Sequence, residues 1–257
     1  MLDTKKEFCL SILITIYVVY EWFFFVNYWY VESGISMRMM YKNAYDIRND
    51  HECKALSHVF DQGQCPACFA FSLASVLGTK ICLAYSKDQM IPSPYRIFDC
   101  AGKACHNAET GLNAMNVMNV MKNGVPDISK TPSVFGWGCQ VGGIKSKHFR
   151  EVCGIARIKE EILIHCPVII VVDLDKKNNI PLREFKEWDD LDLRQAESNS
   201  NKHSVMGIGW ADTHWIIQNS WGKHWGANGT GRVPWSMSTC VLSFDVLIEA
   251  LDTKHDQ

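Results

Sequence analysis

The stretch Asp61-Gln62-Gly63-Gln64-Cys65-Pro66-Ala67-Cys68-Phe69-Ala70-Phe71-Ser72 decides how this 257-residue chain reads. A turn-rich lead-in ends on a cysteine that opens an apolar run. Phe69, Leu73, Val76, Ile81 and Leu83 then recur at roughly helical spacing, which predicts a helix from Cys68 to Tyr85. Pro66 stands just ahead, where a missing N–H does no harm. A thiol in the first turn meets unpaired N–H groups and the positive end of the helix dipole, and both favour the thiolate. Taken alone, a cysteine at a helix start reads as an inert buried thiol.

Working outward, Leu112, Met115, Val117, Met118 and Met121 predict a second helix over 111–122, with Asn123-Gly124 as its stop. The later half reads as strand. Pro167-Val168-Ile169-Ile170-Val171-Val172 is the strongest, and Ser204–Trp210, Trp215–Gln218 and Gly231–Val233 are further candidates. Residues 37–60 read as irregular, and 173–202 as a long polar surface excursion. A helical half followed by a β half predicts an α+β protein of two packed lobes with a cleft between them.

Two polar residues give Cys68 partners. His203 lies 135 residues downstream in Lys202-His203-Ser204-Val205-Met206-Gly207, and Asn219 lies 151 downstream in Gln218-Asn219-Ser220-Trp221-Gly222. With Lys223-His224-Trp225-Gly226 and Asn228-Gly229 following, this resembles the papain-like (cathepsin-type) cysteine peptidases, with some cathepsin-B-like features in Tyr45-Asp46-Ile47-Arg48 and Cys82. The resemblance runs from about Tyr45 to about Asp245. It implies a helical lobe over about 53–140 and a β-sheet, barrel-like lobe over about 141–250, with the active-site cleft between.

The resemblance also implies roles. Cys68 is the nucleophile, His203 its base and acid, and Asn219 the residue that orients His203. Trp221 shields that contact from water, and Gln62 with the Cys68 N–H forms an oxyanion hole. Asn107 and Ala108 stand where glycines usually line the substrate cleft, which puts that wall in doubt. Asp245, five residues after Cys240, is implied at the base of the S2 pocket, where it would accept Arg or Lys at P2. The plain alternative is an exposed Asp on a C-terminal strand. Implied disulfides are Cys65–Cys105, Cys100–Cys139 and Cys53–Cys82, with Cys153, Cys166 and Cys240 left over. The occluding-loop histidines of cathepsin B are absent, so endopeptidase action is expected. No inhibitory prodomain is recognisable upstream.

The remaining features set the context. Eleven cysteines make no convincing zinc set, and the odd number fits an oxidising compartment with several disulfides and one reactive thiol. Lys5 and Lys6 precede an apolar run within residues 8–31, so residues 1–36 read as a signal peptide or a signal-anchor, and 37–257 as the peptidase domain. This points to the secretory pathway, to an extracellular or lysosome-like compartment, with membrane anchoring left open. A net charge of −2 gives no broad pull toward nucleic acid. The expectations are peptide or protein substrates, no nucleic acid, a monomer, no metal and no cofactor. Two other function classes stay open. One is a catalytically weak or inactive papain-like homologue acting as a binding protein; the other is a thiol oxidoreductase, because Cys65-Pro66-Ala67-Cys68 has CxxC form. Asn228-Gly229-Thr230 is a glycosylation sequon.

Overall fold

A computed structural model describes residues 43–87, 90–102, 105, 114–173 and 202–248. In chain order the elements are β1 (Ala44–Asp46), α1 (Lys54–Ser57), α2 (Cys68–Tyr85), α3 (Pro94–Cys100) and α4 (Ala114–Asn123). Then follow β2 (Ile144–Cys153), α5 (Ile155–His165), β3 (Val168–Asp173), β4 (Lys202–Ala211), β5 (His214–Gln218), β6 (Thr230–Pro234) and β7 (Cys240–Ile248).

Helix α2 covers the span expected from its apolar spacing. Ala70, Phe71, Leu73, Ala74, Val76, Leu77 and Ile81 are all fully buried, so the helix is enclosed on several faces. That explains its weak amphipathic pattern, since a helix apolar nearly all round belongs in a core. It is apolar enough to cross a membrane by length and composition, but it is mostly buried inside this fold. Phe71 meets Phe60 and Tyr95 edge-on at 5.5 Å, and Phe135 joins Tyr95 to Phe98. The helix ends at Ser86, which adopts a left-handed conformation and returns its N–H to the Cys82 carbonyl.

The other helices of this half are fixed by local chemistry. Ser93 caps α3 by accepting the Arg96 N–H, with Pro94 at the first helical position. Helix α4 ends before Gly124, as expected. Gly124 has φ +100°, and a Cβ there would meet the Gly142 carbonyl oxygen at 2.0 Å, so only glycine fits. Arg96 is fully buried. It pairs with Asp99 and donates to the carbonyls of Val134 and Gly138. The Asp99 carboxylate also accepts the N–H groups of Gly136 and Gly138, while Arg96 Nε is left without a partner.

The strands form one antiparallel sheet in the order β2-β7-β3-β4-β5-β6, with β1 also paired to β4. Strand β4 serves three partners. It pairs with β3 over Lys202–Gly207, with β1 over Gly209–Ala211, and with β5 over Met206–Ala211, where the ladder is irregular between Gly207 and Gly209. A Cβ on Gly209 would meet the Tyr45 carbonyl oxygen at 2.0 Å, so glycine is what admits β1. The barrel-like lobe expected from the sequence needs correction. Among the described residues the sheet is open, because β2 and β6 are its two ends and no ladder joins them.

Four further differences have physical causes. Residues 43–60 are not wholly irregular, since they contain β1 and α1, each too short to show a period. Strand β2 carries an irregularity between Lys147 and Arg150, with His148 at φ +52°, which destroys the alternation that would have announced it. Helix α5 buries chiefly Ile158, Glu161 and Ile162, so its apolar face is narrow and includes a carboxylate. The three expected disulfides are present, but Cys153 and Cys240 are not left over. They are register partners on β2 and β7, with Cα atoms 4.0 Å apart, and they form a fourth disulfide. The excursion within 174–201, Asn107 and Ala108, and the apolar run within 8–31 lie outside the described residues.

Lys80 is buried in the C-terminal half of α2. Its ammonium donates to the His165 carbonyl and lies 5.6 Å from the centre of the Phe244 ring. Burial brings its pKa down to about 8. Below pH 8 both folded and unfolded chains carry the proton, and the burial cost is present in full. Between 8 and 10.5 the unfolded chain holds more proton, so stability rises with pH through this group, by about 1.4 kcal/mol per pH unit at most. Denaturant melts at pH 7.5 and pH 10 are expected to show a wild-type gain that Lys80→Met lacks; equal pH responses in the two proteins would contradict it.

Candidate active site

Cys68 is the first residue of α2, and the backbone N–H groups of Ser204, of Phe69 and of Cys68 itself lower its thiol pKa. The last two are the first-turn donors anticipated from the sequence. The first belongs to β4, to the residue that follows His203. Burial raises the Cys68 thiol pKa, and these donors pull it back down.

His203 sits on β4 opposite Val172 of β3 and is 3% exposed. Its Nε2 lies 2.8 Å from Asn219 Oδ1. An amide oxygen can only accept, and Oδ1 is oriented by the Ser220 N–H at 2.8 Å. Nε2 therefore carries the hydrogen, which leaves Nδ1 with a lone pair able to take a proton. Burial lowers the imidazole pKa to about 4, and the Asn219 hydrogen bond opposes that shift. Each group alone thus resists ionising. A proton passed from Cys68 to His203 creates both charges together, and each then supplies the counter-charge that the other lacks. The Trp221 ring lies 4.7 Å from the imidazole at 33°, covering it, and Trp225 meets Trp221 edge-on.

Asn219 reaches this place because β5 pairs with β4 with Gln218 opposite Met206, which carries the following residue back toward His203. Its N–H is held by the Gly229 carbonyl. Its Nδ2 is buried without a partner, at a cost of about 1–3 kcal/mol. The site uses the oxygen end and leaves the nitrogen unsatisfied.

Gln62 is tied to the same segment. Its N–H donates to the Ser220 carbonyl and its Oε1 accepts the Ser220 hydroxyl at 2.6 Å. That fixes which end of the amide is nitrogen. Nε2 donates one hydrogen to the Cys65 carbonyl at 2.9 Å, and its second hydrogen remains for another acceptor.

The structure therefore brings Cys68, His203, Asn219, Gln62 and Trp221 together. Cys65 is joined to Cys105, so the CxxC pair expected of a thiol oxidoreductase is not formed, and Cys68 keeps its thiol. The other unpaired cysteine among the described residues, Cys166, is buried beside Pro167 with its thiol pKa pushed up. It precedes β3, whose first residue, Val168, already lies four residues, about 13 Å, back from the level of His203. Sequence reasoning did not find Ser220, Ser72 or Ser204. The hydroxyls of Ser72 and Ser204 lie 2.9 Å apart beside Cys68 and His203. Serine has no pattern of its own, and only the packing of α2 on β4 reveals the pair.

Asp245, expected at the S2 pocket, is engaged by other side chains. Its oxygens are taken by Arg150 at 3.1 Å and His148 at 2.8 Å, and these partners hold its carboxyl below the usual range. The next residue, Val246, accepts the Tyr85 hydroxyl through its carbonyl. Tyr85 ends α2, about 25 Å from Cys68 at 1.5 Å per residue. The ladder of β7 on β2 thus carries Asp245 to the far end of the nucleophile helix. Asp245→Ala is expected to leave the ratio of kcat/KM for Arg and Leu at P2 unchanged in otherwise identical fluorogenic peptides. A fall in that ratio would return Asp245 to the pocket.

The papain family cysteine protease profile matches residues 41–249, and the chain belongs to that family. It is 26% identical over 216 residues to a gut-specific cysteine proteinase of Caenorhabditis elegans, covering 71% of this chain and 65% of that protein. The match thus spans somewhat less than two thirds of that relative's length. Among solved structures, procathepsin B S9 of Trypanosoma congolense superposes with a TM-score of 0.66 at 17% identity, covering 81% of this chain and 78% of the other. A Carica candamarcensis cysteine protease, CMS1MS2, in complex with E-64 gives 0.59 at 19%, covering 79% and 98%. At these identities the likeness establishes the two-lobe α+β fold.

Proposed function

We propose that this chain is a cysteine-type endopeptidase that cleaves peptide bonds through a Cys68 thioester. The observation that carries the reading is the ordered line from Asn219 Oδ1 through His203 to the sulfur side of β4, with Cys68 at the start of α2. In the reaction, proton transfer from Cys68 to His203 Nδ1 generates thiolate and imidazolium. The thiolate attacks the scissile carbonyl. The remaining Gln62 amide hydrogen and the Cys68 N–H receive the developing oxyanion. His203 returns the proton to the leaving amine as the C–N bond breaks, and water then hydrolyses the thioester with His203 as base. Family membership and four disulfides support a proteolytic role in an oxidising compartment. Peptide or protein substrates follow from the family. A monomeric state, membrane attachment through residues 8–31 and a cleft wall at Asn107 and Ala108 are parts of the same proposal.

Cys68→Ala is expected to lower kcat by several orders of magnitude in the folded protein, as loss of a nucleophile–base unit does. Retention of roughly a tenth of wild-type kcat would sink the mechanism. E-64 is expected to add to Cys68 and to no other cysteine, as read by peptide mass mapping. Gln62→Ala is expected to lower kcat by about 10²–10³ with a smaller change in KM; an unchanged kcat would remove the amide from the oxyanion site.

A further inference from the structure

The nucleophile and its base lie on different elements, Cys68 on α2 and His203 on β4, and something has to set the spacing between them. Two buried serines meet at this seam. Ser72 is one turn along α2 from Cys68, and Ser204 follows His203 on β4. Both are 3% exposed, and their Oγ atoms are 2.9 Å apart. Ser72 Oγ also lies 3.1 Å from the Phe69 carbonyl oxygen. A carbonyl can only accept, so the single Ser72 hydroxyl hydrogen goes to Phe69. The hydrogen between the two serines must then come from Ser204. The resulting line runs from the Ser204 hydroxyl to the Ser72 hydroxyl to the first-turn carbonyl next to Cys68. The Ser204 backbone N–H also lowers the Cys68 thiol pKa, so one residue of β4 acts on the first turn of α2 through both its hydroxyl and its N–H. Farther along the seam, the Thr79 hydroxyl donates within α2 to the Ser75 carbonyl and meets across it only a thioether, Met206 Sδ, at 3.8 Å.

We infer that Ser72 and Ser204 are positioning residues whose hydroxyl relay fixes the first turn of α2 against β4 and so sets the Cys68–His203 geometry. This rests on the Cys68–His203 reading above. A buried hydroxyl pair that only stabilised the fold would add to stability without touching the sulfur's protonation. A pair that holds the Ser204 N–H on the sulfur changes both catalysis and thiol ionisation when it is cut.

The test uses the full chain with Ser72→Ala, Ser204→Ala, the double variant, and Ser204→Thr, which keeps a hydroxyl. Near-UV circular dichroism checks folding, and if Ser204→Ala does not fold, Ser72→Ala carries the test from the other end of the relay. Each alanine variant is expected to lose about ten- to a hundredfold in kcat with KM within roughly twofold of wild type. The pH midpoint for Cys68 alkylation by iodoacetamide, followed by peptide mass mapping, is expected to shift upward. The double variant should match the more affected single variant, because the two hydroxyls act as one unit. Ser204→Thr is expected to regain activity over Ser204→Ala. Alanine variants that lose thermal stability but keep the wild-type kcat and alkylation profile would overturn the inference and leave the nucleophile reading intact. A wild-type enzyme that hydrolyses peptides while Cys68 resists alkylation would overturn both.

Discussion

Helix α2 has to be buried, and the sheet face that buries it is the constraint on which the rest depends. Its fully enclosed Ala, Leu, Val, Ile and Phe side chains place large apolar areas out of water, each large one worth about 1.5–3 kcal/mol. The packing partner is β4, which carries His203 and Ser204. Burying the helix therefore also delivers the thiol at its first residue to the imidazole on the strand. Chemistry and core share one interface, so substitutions deep in α2, such as at Phe71, act on the site through the helix axis as well as through stability.

The polar groups at this interface are almost all answered within it. Gln62, Ser220, Asn219 and His203 form a continuous set of buried donors and acceptors, each oriented by the next. Such networks tolerate little error, because an unpaired buried polar atom costs more than a made hydrogen bond returns. The orphaned Asn219 Nδ2 is an exception within that set. Its cost is the consequence of placing an amide where only its oxygen has a task.

A second polar cluster lies at the other end of α2. Lys80, Glu161, Arg150 and Asp245 neutralise one another where α2, α5, β2 and β7 converge, with Arg150 bound to both carboxylates. The Cys153–Cys240 disulfide ties the same pair of strands. This end is structural. It explains why a carboxylate that counting from Cys240 would send to the substrate pocket is instead occupied by arginine and histidine.

The sequence by itself determined the nucleophile helix, its stop, the central strands β3, β4 and β5, and the identities of Cys68, His203, Asn219 and Gln62. Those features are either periodic, through burial on a regular element, or carried by short motifs whose residues must be of one type for the chemistry. Three disulfides also followed, through the resemblance to a known family. Only the tertiary structure decided the fourth disulfide, because Cys153 and Cys240 become neighbours through a β2–β7 register that spans 87 residues of chain. The same holds for the open sheet, for the place of Asp245 and for the Ser72–Ser204 contact. Each depends on which strands pair and in what register. That is a long-range outcome of sheet assembly, and in β2 the irregularity at His148 erased the local alternation that would have signalled it.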